Sequence, residues 1–348
     1  MSKLLPLEYP PITSYPIIAN IFTVLWSRKN QILPWLADHY IQLHATWHSY
    51  GGMWFNFYDA DFLYKIHPAD YCPYILTQKI DKTSFKRIFN LTDFIEEQIN
   101  NNYYIIIYLN QFFLPFSQHF NIDNHMHPTF IWGYDRCKNI VHVSDFYDNG
   151  KYVSRIATYD EINKSYNYDH LGSDVHQAFH TITLYKFVKS NYRVNIDLLK
   201  QTISDYVMGI DSAHRYLNSV QFQYTNSKTD NSDYGINCYN MLREHLDYYG
   251  QAGEDIDVRA FHLLYDHKVA MQIRLQYLVE SKYISVIDKN NLLSLCEKLI
   301  KDSVILRNLA LKYKLCREKN TIAILNDKSK SLQKNDFEFM SLFLQALQ

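Results

Sequence analysis

Apolar and polar positions divide the chain into a first half with mixed strand and helix signals and a second half with helix signals. The clearest strand signal is the uninterrupted apolar run Tyr103–Leu109, which is typical of a buried central strand. Three more strands are predicted at 129–134, 140–144 and 152–156. The tripeptide Asp148-Asn149-Gly150 lies between the last two and predicts a tight hairpin turn. The first half is therefore expected to contain an antiparallel sheet.

Helix signals flank these strands. The segment Ser14–Trp26 follows a proline-rich stretch, with Ser14 at or beside the N-cap and Pro16 in the first turn. The other predicted helices are 31–43, 93–101, 194–206, 236–250, 257–284, 289–316 and 332–347. Residues 47–58, which contain Gly51-Gly52, are predicted as a loop that leads into a strand, and the polar stretch 218–235 is predicted to be mostly loop.

These elements predict an α+β protein with two domains. Residues 1–170 would form the domain with an N-terminal helix and an antiparallel sheet, and residues 171–348 would form a mainly helical domain that caps the site. A length of 348 residues is sufficient for two hydrophobic cores.

Composition narrows the class of protein. The 35 Lys and Arg residues balance 36 Asp and Glu residues, which argues against nucleic-acid binding by bulk charge. No apolar run approaches the ~20 residues that a membrane-spanning helix needs. The five cysteines include no C-x-x-C pair, so reduced thiols in a cytoplasm are predicted. We therefore expect a cytoplasmic protein without nucleic-acid or membrane partners.

Several common catalytic motifs are absent from the sequence. It has no G-x-G-x-x-G, P-loop, G-x-S-x-G or H-E-x-x-H motif, so neither a nucleotide cofactor nor a metal is predicted. His125 and His127 alternate and have chelating potential, but no third ligand is evident nearby in the sequence.

A histidine and an aspartate at one sheet end are the leading candidates for chemistry. His127 begins one predicted strand and Asp145 follows the next, so antiparallel pairing would place them at the same end of the sheet. A carboxylate in that position orients a histidine and stabilises its cation. The alternative is a surface histidine beside an ordinary turn aspartate. Ser14, at a predicted helix N-terminus, is the candidate nucleophile, with a plain N-cap serine as its alternative.

Several short motifs carry a resemblance to a known family. The strings from His127 to Asp135 and from Val143 to Asp148 resemble the histidine–aspartate half of papain-like cysteine peptidases. They are most similar to the bacteriocin-leader peptidases and to the butirosin biosynthesis protein H N-terminal family. Gln111–Phe116 resembles the Leu-Pro turn after a family strand, and Ser14-Tyr15-Pro16 resembles the Cys-Gly-Pro opening. The stretch 257–278 resembles the helical partner found in biosynthetic members.

The resemblance implies a papain-like fold and assigns roles to three residues. Ser14 would stand where the family has its cysteine nucleophile, His127 would be the base, and Asp145 would orient it. A serine hydroxyl is far less acidic than a thiol, whose pKa is about 8.5, so its proton must be removed during attack.

Further candidates surround this triad. Tyr15, Glu8 and His125 are candidates for the oxyanion site or pocket, with Glu8 near the place of the family's upstream glutamine. In the helical half, His262 and Asp266 are one helical turn apart and are candidates for pairing on one face, with a purely structural pair as the alternative.

The resemblance to biosynthetic members implies acyl transfer in natural-product assembly of the nonribosomal peptide type. An acyl or peptidyl group would pass from the phosphopantetheine arm of a carrier protein to an amine acceptor, with no other cofactor. The alternatives are a catalytically inactive binding or scaffold protein, a peptidase or thioester hydrolase, and a Cys-to-Ser variant of an active enzyme.

Overall fold

Helices and antiparallel strands make up the described part of the chain, which is therefore an α+β protein, as predicted. The computed structural model describes residues 1–47, 52–58, 68–88, 90–168, 180–212 and 231–347. The strands are β1 (Ser2–Leu4), β2 (Leu43–Trp47), β3 (Met53–Phe57), β4 (Ile75–Asp81), β5 (Tyr104–Asn110), β6 (Met126–Asp135), β7 (Ile140–Asp148), β8 (Lys151–Thr158), β9 (Thr181–Phe187) and β10 (Ser232–Tyr234). The helices are α1 (Pro16–Trp26), α2 (Lys29–Leu36), α3 (Lys82–Ile88), α4 (Leu91–Asn100), α5 (Tyr159–Asn167), α6 (Ile196–Met208), α7 (Cys238–Ala252), α8 (Arg259–Glu280), α9 (Val286–Cys316) and α10 (Lys319–Ala346).

The chain divides into two units whose segments interleave along the sequence. The first unit is Met1–Pro10, Pro16–Lys29 and Ala69–Asn191; the second is Pro11–Tyr15, Asn30–Pro68 and Tyr192–Gln348. This division differs from the predicted boundary between residues 170 and 171. The reason is that β9 pairs with β4 and β5 in the first unit, whereas β2 and β3 pair with β10 in the second.

The first unit is built on a sheet in which every strand pair is antiparallel. Its order is β4-β9-β5-β6-β7-β8, with β1 pairing beside β6. The apolar run predicted as a strand forms β5, where Ile105 and Leu109 have no exposed surface. Between β7 and β8, Asn149 and Gly150 have φ angles of 49° and 76° and form the predicted two-residue turn.

Five elements of the first unit were not predicted: β1, β4, α3, α5 and β9. Strand β4 has the burial pattern of an edge strand, mostly exposed, so it lacks a strong apolar signal. Strand β9 is its partner. Helix α5 begins with a capping box between Thr158 and Glu161, a helix-start signal that is present in the sequence.

Two predicted helix boundaries near the N-terminus were wrong. Helix α1 begins at Pro16, two residues after the predicted start, so Ser14 lies beside the residue that precedes the helix. Helix α2 ends at Leu36, although the prediction continued to residue 43. The chain turns away because Tyr40 adopts a positive φ of 57°, and residues 43–47 then form β2.

The second unit joins helices α6–α10 to a small sheet of order β10-β2-β3. The predicted helices of the second half correspond to these elements, but α10 begins at Lys319, well before the predicted residue 332. Within the described residues, no helix combines the length and the apolar composition required to cross a membrane.

Arg274 of α8 provides hydrogen-bond donors for the backbone carbonyl oxygens at and after the end of helix α2. Its guanidinium donates to the carbonyl oxygens of Leu36, Ala37, His39 and Tyr40 at 3.0, 2.8, 2.5 and 3.3 Å. A helix end leaves carbonyls without intrahelical partners, and the planar guanidinium supplies several donors at once. The arginine, 1% exposed, therefore fixes the turn that leads from α2 to β2.

A fully buried ion pair joins α8 to α10. The Lys268 ammonium lies 2.5 Å from Asp336 Oδ2, and neither side chain has exposed surface. The hydroxyls of Tyr206 and Tyr239 donate to the same oxygen at 2.5 and 3.0 Å. Burial lowers the pKa of Lys268, and the Asp336 carboxylate opposes that shift. The pair thus ties four helices of the second unit together.

We expect Lys268→Met or Asp336→Asn to lower the free energy of unfolding by about 3–5 kcal/mol, because each leaves a buried partner without its counter-charge. The measurement is urea unfolding followed by circular dichroism. The double variant Lys268→Met/Asp336→Leu should lose less free energy of unfolding than either single variant, because it leaves no buried charge without a partner.

The matched control is Lys330→Met, since Lys330 and Asp327 form an exposed pair on the same α10 helix, 3.8 Å apart. This variant should change stability little. Equal losses in Lys330→Met and Lys268→Met would show that the buried pair has no special role.

Candidate active-site residues

His127 and Asp145 form a close pair in the first unit. His127 lies near the start of β6 and Asp145 on β7, and the register Phe130 to Ser144 brings these strand ends together. His127 Nδ1 lies 2.7 Å from each carboxylate oxygen of Asp145. The juxtaposition predicted from the sequence is therefore present in the structure.

The Asp145 carboxylate is fully buried and is held by other donors. Gln111 Nε2 donates to Oδ2 at 3.0 Å, and the Phe146 N–H donates to Oδ1 at 2.8 Å. Ser117 in turn donates its hydroxyl to Gln111 Oε1 at 2.8 Å. Gln111 was not predicted as a site residue, although it begins the segment Gln111–Phe116 that carried the family resemblance.

The hydrogen bonds to Asp145 determine which ring nitrogen of His127 carries the proton. Because the carboxylate accepts hydrogen bonds, Nδ1 carries the proton that lies between His127 and Asp145. Nε2 makes no hydrogen bond to any described residue, and the side chain is 22% exposed. Nε2 is therefore the nitrogen that can accept a proton from a reacting group.

Ser14 is held by a different carboxylate, within the second unit. Its hydroxyl donates to Asp266 Oδ2 at 2.8 Å, and the Thr13 N–H donates to the same oxygen at 2.6 Å. Ser14 is 6% exposed and Asp266 1%. The structure thus pairs His127 with Asp145 in one unit and Ser14 with Asp266 in the other. That His127 removes the proton of the Ser14 hydroxyl stays a prediction.

His262 and Asp266 share one face of α8, the facing arrangement considered from the sequence. His262 Nε2 lies 3.7 Å from Asp266 Oδ1 and 2.8 Å from the Thr13 hydroxyl oxygen. Arg307 Nη1 lies 3.3 Å from His262 Nδ1. Burial and the Arg307 charge lower the pKa of His262 to about 4, so its ring is neutral near pH 7.

Burial has the opposite effect on Asp266. Loss of water raises the pKa of the Asp266 carboxyl to about 7, and the donors from Thr13 and Ser14 only partly offset this. Near neutral pH, the acceptor of the Ser14 hydroxyl is therefore in the middle of its titration.

The other predicted pocket residues have separate surroundings. The Tyr15 hydroxyl donates to the Phe55 carbonyl oxygen at 2.7 Å, and its ring lies 5.0 Å from that of Trp54. Glu8 is exposed in the first unit. His125 lies beside His127, with ring centroids 5.4 Å apart and planes inclined by 18°.

His125 also belongs to a cluster that the sequence analysis did not identify. Its ring stacks on His119 with centroids 4.0 Å apart, and His119 Nδ1 lies 2.9 and 3.1 Å from the oxygens of Asp123. One ligand atom from each of these three residues lies within 4.8 Å of the others, so they could hold a metal ion. The spacing His119-x-x-x-Asp123-x-His125 was the available signal.

We expect Asp266→Asn to change the pH dependence of stability. Asp266 keeps its proton to a higher pH in the folded chain than in the unfolded chain, so its favourable contribution is lost as the pH rises from about 4 to about 7. Relative to Asp266→Asn, the unmodified protein should lose about 1 kcal/mol per pH unit in this window. Urea unfolding at several pH values measures the difference.

The control for this prediction is Asp327→Asn, which removes an exposed carboxyl from α10. Its stability should follow that of the unmodified protein across the same pH range. Parallel curves for the unmodified protein and Asp266→Asn would contradict the raised pKa of Asp266.

The sequence was compared with protein-family models and with curated proteins. No family model and no curated protein matches the chain.

Proposed function

We propose that the chain is an acyl-transfer enzyme whose general base is His127. The observation that carries the proposal is the contact of His127 Nδ1 with both oxygens of the buried Asp145 carboxylate at 2.7 Å. The remaining nitrogen, Nε2, is available to take a proton from a nucleophile and to return it to a leaving group. The α+β architecture, with α1 before an antiparallel sheet, agrees with the papain-like fold of the resemblance.

The nucleophile in this proposal is Ser14, by its resemblance to the family's cysteine position. Its oxygen would attack the thioester carbonyl of an acyl or peptidyl carrier protein, and His127 would take the hydroxyl proton and pass it to the departing phosphopantetheine thiol. An amine would then attack the acyl-serine ester, losing a proton to His127 as the new amide forms and the serine regains its proton. The Ser14–Asp266 hydrogen bond must be released for the first step.

The same hydrogen bond favours a second candidate function. A serine hydroxyl that donates at 2.8 Å to a buried carboxylate has a complete structural role without catalysis. A papain-like protein that binds a carrier protein and catalyses no reaction would retain this contact. The two functions differ in whether Ser14 becomes acylated.

The decisive experiment incubates the full chain with a panel of acyl-pantetheine thioesters, with and without an amine acceptor, and examines it by intact-mass spectrometry. We expect an acyl adduct on Ser14 and amide formation when the amine is added. Ser14→Ala should form no adduct, and His127→Ala should be slower by about 10²–10⁴-fold. Ser14→Cys should react faster, because a thiolate is the stronger nucleophile.

The matched control for His127→Ala is His142→Ala, on β7 of the same sheet, where the ring packs against Trp132 at 5.0 Å. This variant should keep full activity. Turnover by Ser14→Ala at the unmodified rate would remove Ser14 as the nucleophile. Free acid without amide would identify a hydrolase, and carrier binding without any turnover would identify a binding protein.

Gln111 is expected to act as a positioning residue for this pair. In Gln111→Ala the carboxylate of Asp145 loses one buried donor, which should reduce kcat by about 10-fold, the equivalent of a hydrogen bond to a charged group. KM should stay unchanged, since the glutamine contacts Asp145 and Ser117.

Steady-state kinetics of Gln111→Ala beside Gln118→Ala test this role. Gln118 is exposed and lies on the same segment, so Gln118→Ala should leave kcat and KM unchanged. A lower stability of Gln111→Ala with normal kcat would assign the glutamine to folding alone.

A further inference from the structure

We propose that His119, Asp123 and His125 form a binding site for a divalent transition metal of the zinc class. Two imidazoles and one carboxylate are a common zinc ligand set, with bonds of about 2.0–2.2 Å. Tetrahedral bonds of that length place ligand atoms about 3.4 Å apart. His119 Nδ1 lies 2.9 and 3.1 Å from the Asp123 oxygens, and an ion bound there would displace to solvent the proton that this hydrogen bond holds; all three ligand atoms lie within 4.8 Å of one another.

The two histidine rings of the cluster lie face to face. The rings of His119 and His125 stack with centroids 4.0 Å apart and planes inclined by 12°. The ring nitrogens of His125 make no hydrogen bond to any described residue. A nitrogen lone pair is therefore available for a metal on this ring.

The backbone that carries the ligands is held in place by its own hydrogen bonds. The N–H of Ile122 donates to the His119 carbonyl at 3.1 Å, and the N–H of Asn121 donates to the Phe112 carbonyl at 3.1 Å. At the other end, the His125 N–H donates to Asn110 Oδ1 at 3.2 Å. Binding of an ion would therefore need side-chain adjustment and little rearrangement of the chain.

Three protein ligands leave one position of a tetrahedral zinc open for water or another ligand. His125 is also the ring next to His127, 5.4 Å away between centroids. The proposed ion would thus be bound by the histidine ring that neighbours the His127–Asp145 pair. This inference concerns binding and does not depend on the proposed acyl transfer.

The test uses the full chain without a polyhistidine tag, freed of metal by a chelator and titrated with zinc chloride by calorimetry. Cobalt chloride, followed by visible absorption, reports coordination by the protein directly. We expect one ion per chain, with affinity reduced at least about 10-fold in His119→Ala, in His125→Ala and in Asp123→Asn, since each loses a metal bond.

Two variants serve as controls for this site. His142→Ala should bind zinc like the unmodified chain, and so should His127→Ala, which lies outside the ligand set. Circular dichroism confirms that each variant is folded. Failure of the unmodified chain to bind either ion, or equal binding by His119→Ala and His125→Ala, would overturn the proposal, and so would an equal loss in His127→Ala.

Discussion

A carboxylate that is removed from water must be surrounded by hydrogen-bond donors, and this requirement organises both units of the chain. Asp145, Asp266 and Asp336 are each at most 1% exposed. Asp145 is hydrogen-bonded to His127, and Asp266 accepts a hydrogen bond from Ser14. Asp336 accepts hydrogen bonds from an ammonium and two tyrosine hydroxyls. The histidine pair, the serine contact and the buried ion pair therefore each depend on one of these three side chains.

The three carboxylates differ in the charge of their partners, and this difference separates their roles. Asp336 faces a buried ammonium and stabilises the helices around it. Asp145 faces an imidazole that can become a cation, the arrangement that suits proton transfer. Asp266 has only neutral donors at its Oδ2 atom, and they only partly offset the loss of water that raises its carboxyl pKa to about 7. Among these three, only the Asp145–His127 arrangement has the properties of a catalytic pair, and the proposed function therefore depends on His127.

Local patterns predicted the sheet around His127 and Asp145, whereas contacts between distant segments could not be predicted. Strands β6–β8 follow one another through short turns that indicate hairpins, so antiparallel pairing of β6 and β7 was expected to bring the two side chains together. Ser14 and Asp266 are 252 residues apart, and no periodicity in the sequence connects them. Strand β4 was missed because an edge strand with exposed polar side chains has little apolar signal.

The interleaving of the two units limits how this protein can be divided. Strand β9 lies between β4 and β5 in the sheet of the first unit. A chain that stopped at residue 170 would lose β9 and leave two strand edges without hydrogen-bond partners, a known cause of aggregation. Neither unit is one continuous stretch of sequence. The transfer of one continuous gene segment therefore cannot carry either unit as a whole into another protein.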